Sequence, residues 1–295
     1  MSLIVNPNDE YPTPFTIHPS SPSHHNNTVI LLHGTSMTGP ELASTLLAFP
    51  FPFPSTTSPP TTLQRLFPTT RFVFPTGKER TTTVFRGRVT NAWFDIHAFH
   101  DRTIGETFAA EGIKQSLSFL YSLIVLEIAV LDSKPESRGG GIVIGGFSQG
   151  CALGICLLIS GILNREVMGG RMKGFVGMSG WMPFRAQIQQ GIQDRVVLDD
   201  ETRRETACRV LHDILGDKED SMVTIDMPMY FTHGEMDEKV KMEWSKQMTG
   251  VLSALGAEKV ERVEMDGVGH WYGVEGMVGL VVFLQQTFSK KPISA

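Results

Sequence analysis

Ile142-Val-Ile-Gly-Gly146-Phe147-Ser148-Gln149-Gly150-Cys151 joins two different periodicities. Its first residues form a short apolar, β-branched run, the pattern of a strand buried on both faces. An apolar helical pattern occupies about 149–163. Between the two, Gly146-Phe-Ser148-Gln-Gly150 is a G-x-S-x-G match, with a glycine two positions to either side of the serine. Small residues there permit a tight strand-to-helix turn. Such a turn exposes the serine oxygen at the carboxyl end of a sheet, beside a helix N-terminus that favours developing negative charge.

Working outward, similar short runs recur at Thr28–Leu32, Arg71–Phe74, Gly174–Met178, Met229–Thr232 and Lys259–Glu264. Helical patterns fall at 105–131, 201–215, 238–255 and 274–288. The alternation predicts an α/β fold with a mostly parallel central sheet and helices on both faces. No linker divides it, so residues 1–295 are expected to form one domain. Two stretches stand apart. Residues 50–62 are too proline-rich for regular structure and are expected to form a surface loop. Residues 184–226 are polar and charge-mixed, with a helical pattern near Thr202–Leu215, and read as an insertion between core strands. Such an insertion either covers a site or decorates the surface.

Composition narrows the function classes. The 295 residues are 41% hydrophobic and 19% charged, with a net charge of -5, which argues against a general nucleic-acid binder. Cys151, Cys156 and Cys208 are too few for a disulfide framework. Uninterrupted apolar stretches fall short of the roughly 18 residues that span a bilayer, so no stable membrane insertion is expected. Met1-Ser-Leu-Ile-Val-Asn-Pro lacks the basic and apolar regions of a signal peptide, and a cytoplasmic location is expected.

A serine hydroxyl needs a base to become a nucleophile. In α/β-hydrolase arrangements the partners follow in the order serine, acid, histidine. Of nine histidines, His270 lies well downstream on a glycine-bearing loop, Gly267-Val-Gly-His-Trp-Tyr-Gly273. His233 ends a strand and reads as a packed or turn residue; His24, His25, His97, His100 and His212 lie far from the expected position, most of them expected in solvent. Asp237, on the loop after Met229–Thr232, fits the acid, with Asp266 and Glu235 as alternatives. An oxyanion site needs two backbone N–H donors. Gln149 follows the nucleophile, and the second donor is expected from the loop Leu32-His33-Gly34-Thr35-Ser36-Met37-Thr38-Gly39.

Taken together, Leu32–Gly39, Phe74-Pro75, Ala92-Trp-Phe-Asp95, Gly145–Gly150, Gly177-Met-Ser-Gly-Trp-Met-Pro183, His233–Asp237 and Gly269-His270 resemble the phospholipase/carboxylesterase family of α/β-hydrolases, which includes the acyl-protein thioesterases. The segments appear in the family's order across roughly 28–288. The resemblance implies an α/β-hydrolase fold, a Ser148–Asp237–His270 triad and Thr35 and Gln149 as oxyanion donors. It also implies hydrolysis of acyl esters or thioesters without metal or organic cofactor. S-acylated proteins and lysophospholipids are the substrates in view. Phe94, Trp181, Met182 and Phe184 are candidate walls of an acyl groove, with ordinary core packing as the other reading. Thr35-Ser36-Met37 departs from the Leu-Gly-Asp more typical of the family, and Cys151 replaces a glycine. A small-ester carboxylesterase or lysophospholipase is the alternative within the class. A non-catalytic binding protein on the same fold is the alternative outside it.

Overall fold

Period-two alternation along the strands sends successive side chains to opposite faces, and here both faces are apolar. The computed structural model describes residues 11–20, 24–51, 61–133, 137, 139–168, 170–193, 199–216, 223 and 225–289. Its strands are β1 (Phe15–Ile17), β2 (Asn27–Leu32), β3 (Thr70–Phe74), β4 (Glu79–Thr82), β5 (Arg88–Asn91), β6 (Ile142–Phe147), β7 (Met172–Met178), β8 (Met229–Gly234) and β9 (Val260–Met265). Seven of these form one sheet in the order β1-β3-β2-β6-β7-β8-β9, while β4 and β5 pair as a separate antiparallel hairpin. Within the sheet β1 alone runs antiparallel to its neighbour.

The helices are α1 (Gly39–Leu47), α2 (Leu63–Leu66), α3 (Ala110–Asp132), α4 (Gln149–Ile159), α5 (Arg185–Gln193), α6 (Asp200–Leu215), α7 (Met242–Ala254) and α8 (Val274–Ser289). Ile30, Leu32, Ile144, Phe175 and Phe231 face a core closed by α3, α4, α6 and α7. Val29, Leu31, Val143, Val176 and Tyr230 face a second core closed by α1 and α8. The expected α/β-hydrolase architecture is thus present, a mostly parallel sheet between two helical layers.

Two sequence expectations change. The stretch 184–226 carries two helices, and α6 is a core element: Ala207, Cys208, Leu211 and Leu215 are buried against the layer that holds α3 and α4. Its charged residues lie on the opposite face, which is why the segment as a whole reads as polar. His212, expected in solvent, is buried with Nε2 at 2.9 Å from the Ser160 carbonyl, and His25 is buried as well. The segment Glu106–Asp132 is long and apolar enough to cross a membrane by length and composition. Runs of uninterrupted apolar residues miss it because scattered polar residues break them. In this fold α3 turns Ile113, Leu117, Leu120, Ile124 and Leu131 into the core. Of the proline-rich stretch, Phe51 and Thr61 bridge to each other and Phe51 is buried; residues 52–60 lie outside the described residues.

Candidate active site

Ser148 sits between the end of β6 and the first turn of α4 at φ 54 and ψ -115, a strained conformation for a residue with a Cβ. Surrounding packing holds it there. Its N–H donates to the Met178 carbonyl at 2.7 Å. A Cβ on Gly146 would meet the backbone of Gly150 and Leu32, and one on Gly150 would strike the Leu32 carbonyl. The two glycines of the motif therefore let the elbow press against β2. Cys151 is accommodated by a local exchange of volume: its side chain fills the space that Cβ atoms on Gly177 and Gly180 would occupy. Burial pushes its thiol up to about 12, so it packs as a neutral group.

His270 and Asp237 arrive on the loops that follow β9 and β8. His270 Nε2 lies 2.9 Å from Ser148 Oγ, and His270 Nδ1 lies 2.7 Å from Asp237 Oδ2. Asp237 Oδ1 accepts from the N–H groups of Lys239 (2.9 Å) and Val240 (2.8 Å). Burial pushes the Asp237 carboxyl up, but hydrogen bonds from His233 and His270, the charge of His270 and the Val240 N–H outweigh it. The carboxyl is held well below the usual carboxylate range. Asp266 and Glu235, the alternative acids, are exposed. The two loops touch through Met236 N–H donating to the Val268 carbonyl at 2.9 Å, an approach that a Cβ on Gly234 would block. The Phe147 ring supports the imidazole, with centroids 4.9 Å apart.

His233 is fully buried, as a packed residue would be, and its Nε2 donates to the Val240 carbonyl at 2.7 Å. The same nitrogen is 3.3 Å from Asp237 Oδ2, so this side chain braces the acid loop. The sequence reading of a packed or turn residue did not include that connection. It also passed over His33, which occupies the same position at the end of β2. The signal was available: His-Gly stands at the carboxyl end of two strands, at 33–34 and at 233–234.

On the nucleophile's other side, the loop after β2 lies against the serine: a Cβ on Gly34 would be 3.3 Å from Ser148 Cβ. Among the described residues the Thr35 N–H has no intramolecular acceptor. Gln149 N–H, at the first position of α4, has none within the helix by geometry. Both expected donors are thus unspent.

Of the expected groove walls, Phe94 and Trp181 line a small cavity beside Arg102, and all four pack into the core. Phe94, Trp181, Met182 and Phe184 are all nearly or fully buried members of the core. The reason is local: Gln149 grips the backbone at Trp93 and Phe94, and Phe94 then meets Trp181 edge to face at 6.2 Å. Arg102 stacks over Trp181 at 4.2 Å and donates to the carbonyls of Ala98 and Lys239, tying the loop to the acid loop. Exposed apolar side chains near the site are instead Met236, Trp271 and Val274, on or beside the Asp237 and His270 loops. Among the described residues no group of three or more His, Cys, Asp or Glu is placed to hold a metal ion.

A strained serine after a central strand, an imidazole and a carboxylate from the loops of later strands, and two free N–H groups define an α/β-hydrolase. The family model for phospholipase/carboxylesterase matches residues 13–196, and the chain belongs to that family. Its sequence is 26% identical over 273 residues to acyl-protein thioesterase 1 of Gibberella zeae, covering 91% of this chain and 94% of the relative. It is 25% identical over 221 residues to acyl-protein thioesterase 1 of Yarrowia lipolytica, covering 75% and 79%. The fold is similar to the crystal structure of Zea mays acyl-protein thioesterase 2, with a TM-score of 0.60, 19% identity and coverage of 94% and 99%. It is also similar to that of esterase PE8, with a TM-score of 0.63, 18% identity and the same coverage.

Proposed function

We propose that this protein hydrolyses carboxylic esters or thioesters through an acyl-enzyme, with Ser148, His270 and Asp237 as its catalytic residues. The observation that carries the reading is the unbroken hydrogen-bonded chain from Asp237 Oδ2 through His270 to Ser148 Oγ, at 2.7 and 2.9 Å. Ser148 Oγ attacks the acyl carbon while its proton passes to His270 Nε2. The carbonyl electrons move onto oxygen, where the N–H groups of Thr35 and Gln149 receive the charge. The intermediate collapses, and the departing alcohol or thiol takes the proton from His270. A water then loses a proton to His270 and attacks the acyl-enzyme. The carboxylic acid leaves and Ser148 regains its hydrogen. Asp237 stays ionised throughout and stabilises the imidazolium, a role that fits its lowered affinity for protons.

Acyl-protein thioesterase relatives and the exposed apolar rim of Met236, Trp271 and Val274 favour an acyl chain as the group recognised, on an S-acylated protein or a lysophospholipid. A cytoplasmic location belongs to the same proposal and is tested by cell fractionation. Labelling with a fluorophosphonate tests the chemistry. Wild-type protein is expected to be captured covalently and Ser148→Ala not at all. A folded wild-type protein that resists labelling favours the non-catalytic alternative. Rates on aryl esters of increasing chain length, beside an S-acylated peptide, separate a small-ester esterase from a thioesterase.

A further inference from the structure

A trans peptide unit points its C=O and N–H in opposite directions, so fixing the carbonyl fixes the donor. The unit between Gly34 and Thr35 is held in this way. Its oxygen, on Gly34, lies 2.7 Å from His33 Nδ1 and accepts the Met37 N–H at 3.2 Å. His33 has one tautomer compatible with its surroundings. Nε2 accepts the Gly77 N–H at 2.8 Å, so the ring hydrogen sits on Nδ1 and is donated to Gly34 O. The ring is fully buried and stacks obliquely on Trp93 at 4.8 Å.

Trp93 extends the arrangement to the second donor. Its indole N–H donates to the His33 carbonyl at 2.9 Å. Its backbone N–H donates to Gln149 Oε1 at 3.0 Å, and Gln149 Nε2 donates to the Phe94 carbonyl at 2.6 Å. Ser116 Oγ secures the Trp93 carbonyl at 2.7 Å. A continuous path of hydrogen bonds therefore runs from the residue whose N–H is one donor, Gln149, through Trp93 and His33, to the peptide unit that presents the other.

We propose that His33 is a positioning residue for acyl transfer, orienting the Thr35 N–H through the Gly34 carbonyl, with Trp93 as the strut that sets this donor's distance from Gln149. The proposal rests on the serine-hydrolase reading and deepens it. Because the oxyanion exists only in the tetrahedral state, misorienting one donor affects that state and leaves ground-state binding alone.

The test compares His33→Leu, which removes both ring contacts, with His33→Asn, whose side-chain amide can still donate from the Nδ1 position. Each is assayed for kcat and KM on an aryl ester, for affinity toward an alkylboronic acid, which forms a tetrahedral adduct on serine, and for inhibition by the free carboxylic acid. For His33→Leu, kcat and boronate affinity are expected to fall together by about 10- to 100-fold. KM and carboxylic-acid inhibition stay within about twofold, and His33→Asn recovers most of the loss. Should His33→Leu lack a cooperative thermal transition, Trp93→Phe, which keeps the ring and deletes the N–H, carries the same expectation. Wild-type boronate affinity in a folded His33→Leu, or equal losses in the Leu and Asn variants, overturns the proposal. Failure of the underlying reading looks different: Ser148→Ala would then retain turnover.

Discussion

A carboxylate flanked by two imidazoles and two backbone N–H groups resists protonation, and its removal leaves those donors facing nothing. Asp237→Asn is expected to lower kcat by about 10³- to 10⁴-fold, because the amide cannot hold His270 in the tautomer that accepts from Ser148. Steady-state kinetics on an aryl ester, beside unfolding curves showing an intact fold, check this. Turnover close to wild type would move the acid role to Asp266 or Glu235. His33 makes a separate contribution that stability measurements can read. Burial lowers its pKa from 6.5 to about 4, against smaller opposing effects of the Gly34 hydrogen bond and Glu41. The unfolded chain therefore binds a proton at higher pH than the folded one does. Stability from this group is complete above pH 6.5 and is lost as pH falls toward about 4, by about 3 kcal/mol in total. Urea unfolding of wild type and His33→Asn at pH 7.5 and 4.5 is expected to show a smaller pH difference in the variant. An unchanged difference would mean that His33 is not the group being titrated.

At the scale of elements, α4 and the turn after β7 fit only because volume is exchanged between them. Gly180→Ala sets a methyl group against the Cys151 side chain and is expected to cost about 1–3 kcal/mol. Cys151→Gly is expected to relieve most of that cost, a coupling that a double-mutant cycle on unfolding free energies measures directly. The helix α6 gives the complementary case. Leu211 is fully buried in the core layer, so Leu211→Ala is expected to destabilise by about 2–5 kcal/mol with little change in KM. A variant with normal stability and a changed KM would make α6 a cover over the site. The sequence made the central strands and the elbow legible because apolar β-branched runs ending in glycine have few other readings. It showed the helical pattern of α6 but concealed its place in the core, because a helix with one buried face and one charged face averages to polar. The strand β1 has three residues, and the β4–β5 hairpin is built from Glu79-Arg-Thr-Thr82 and Arg88-Val-Thr-Asn91. Neither offers the apolar alternation on which strand assignment depends.

Over the whole molecule, Ser148, Asp237 and His270 were legible because motif order and loop position constrain them together. Phe94 and Trp181 were not, since an aromatic side chain reads alike whether it lines a groove or fills a core. Gln149 fixes the backbone that carries Phe94 through hydrogen bonds with the Trp93 N–H and the Phe94 carbonyl, which span more than fifty residues of chain. The site itself has the same long reach: Ser148 and His270 are 122 residues apart, and Asp237 and His270 are 33 apart. The segments that bring them together are β8 and β9, the last two strands along one side of the sheet. Activity is consequently a late reporter of folding. Refolding from urea is expected to restore far-ultraviolet circular dichroism before esterase turnover, and simultaneous recovery would show that the sheet closes in one event. On the ribosome the same geometry keeps a growing chain chemically silent: while residue 270 is still inside the exit tunnel, the serine has been made but has nothing to give its hydrogen to.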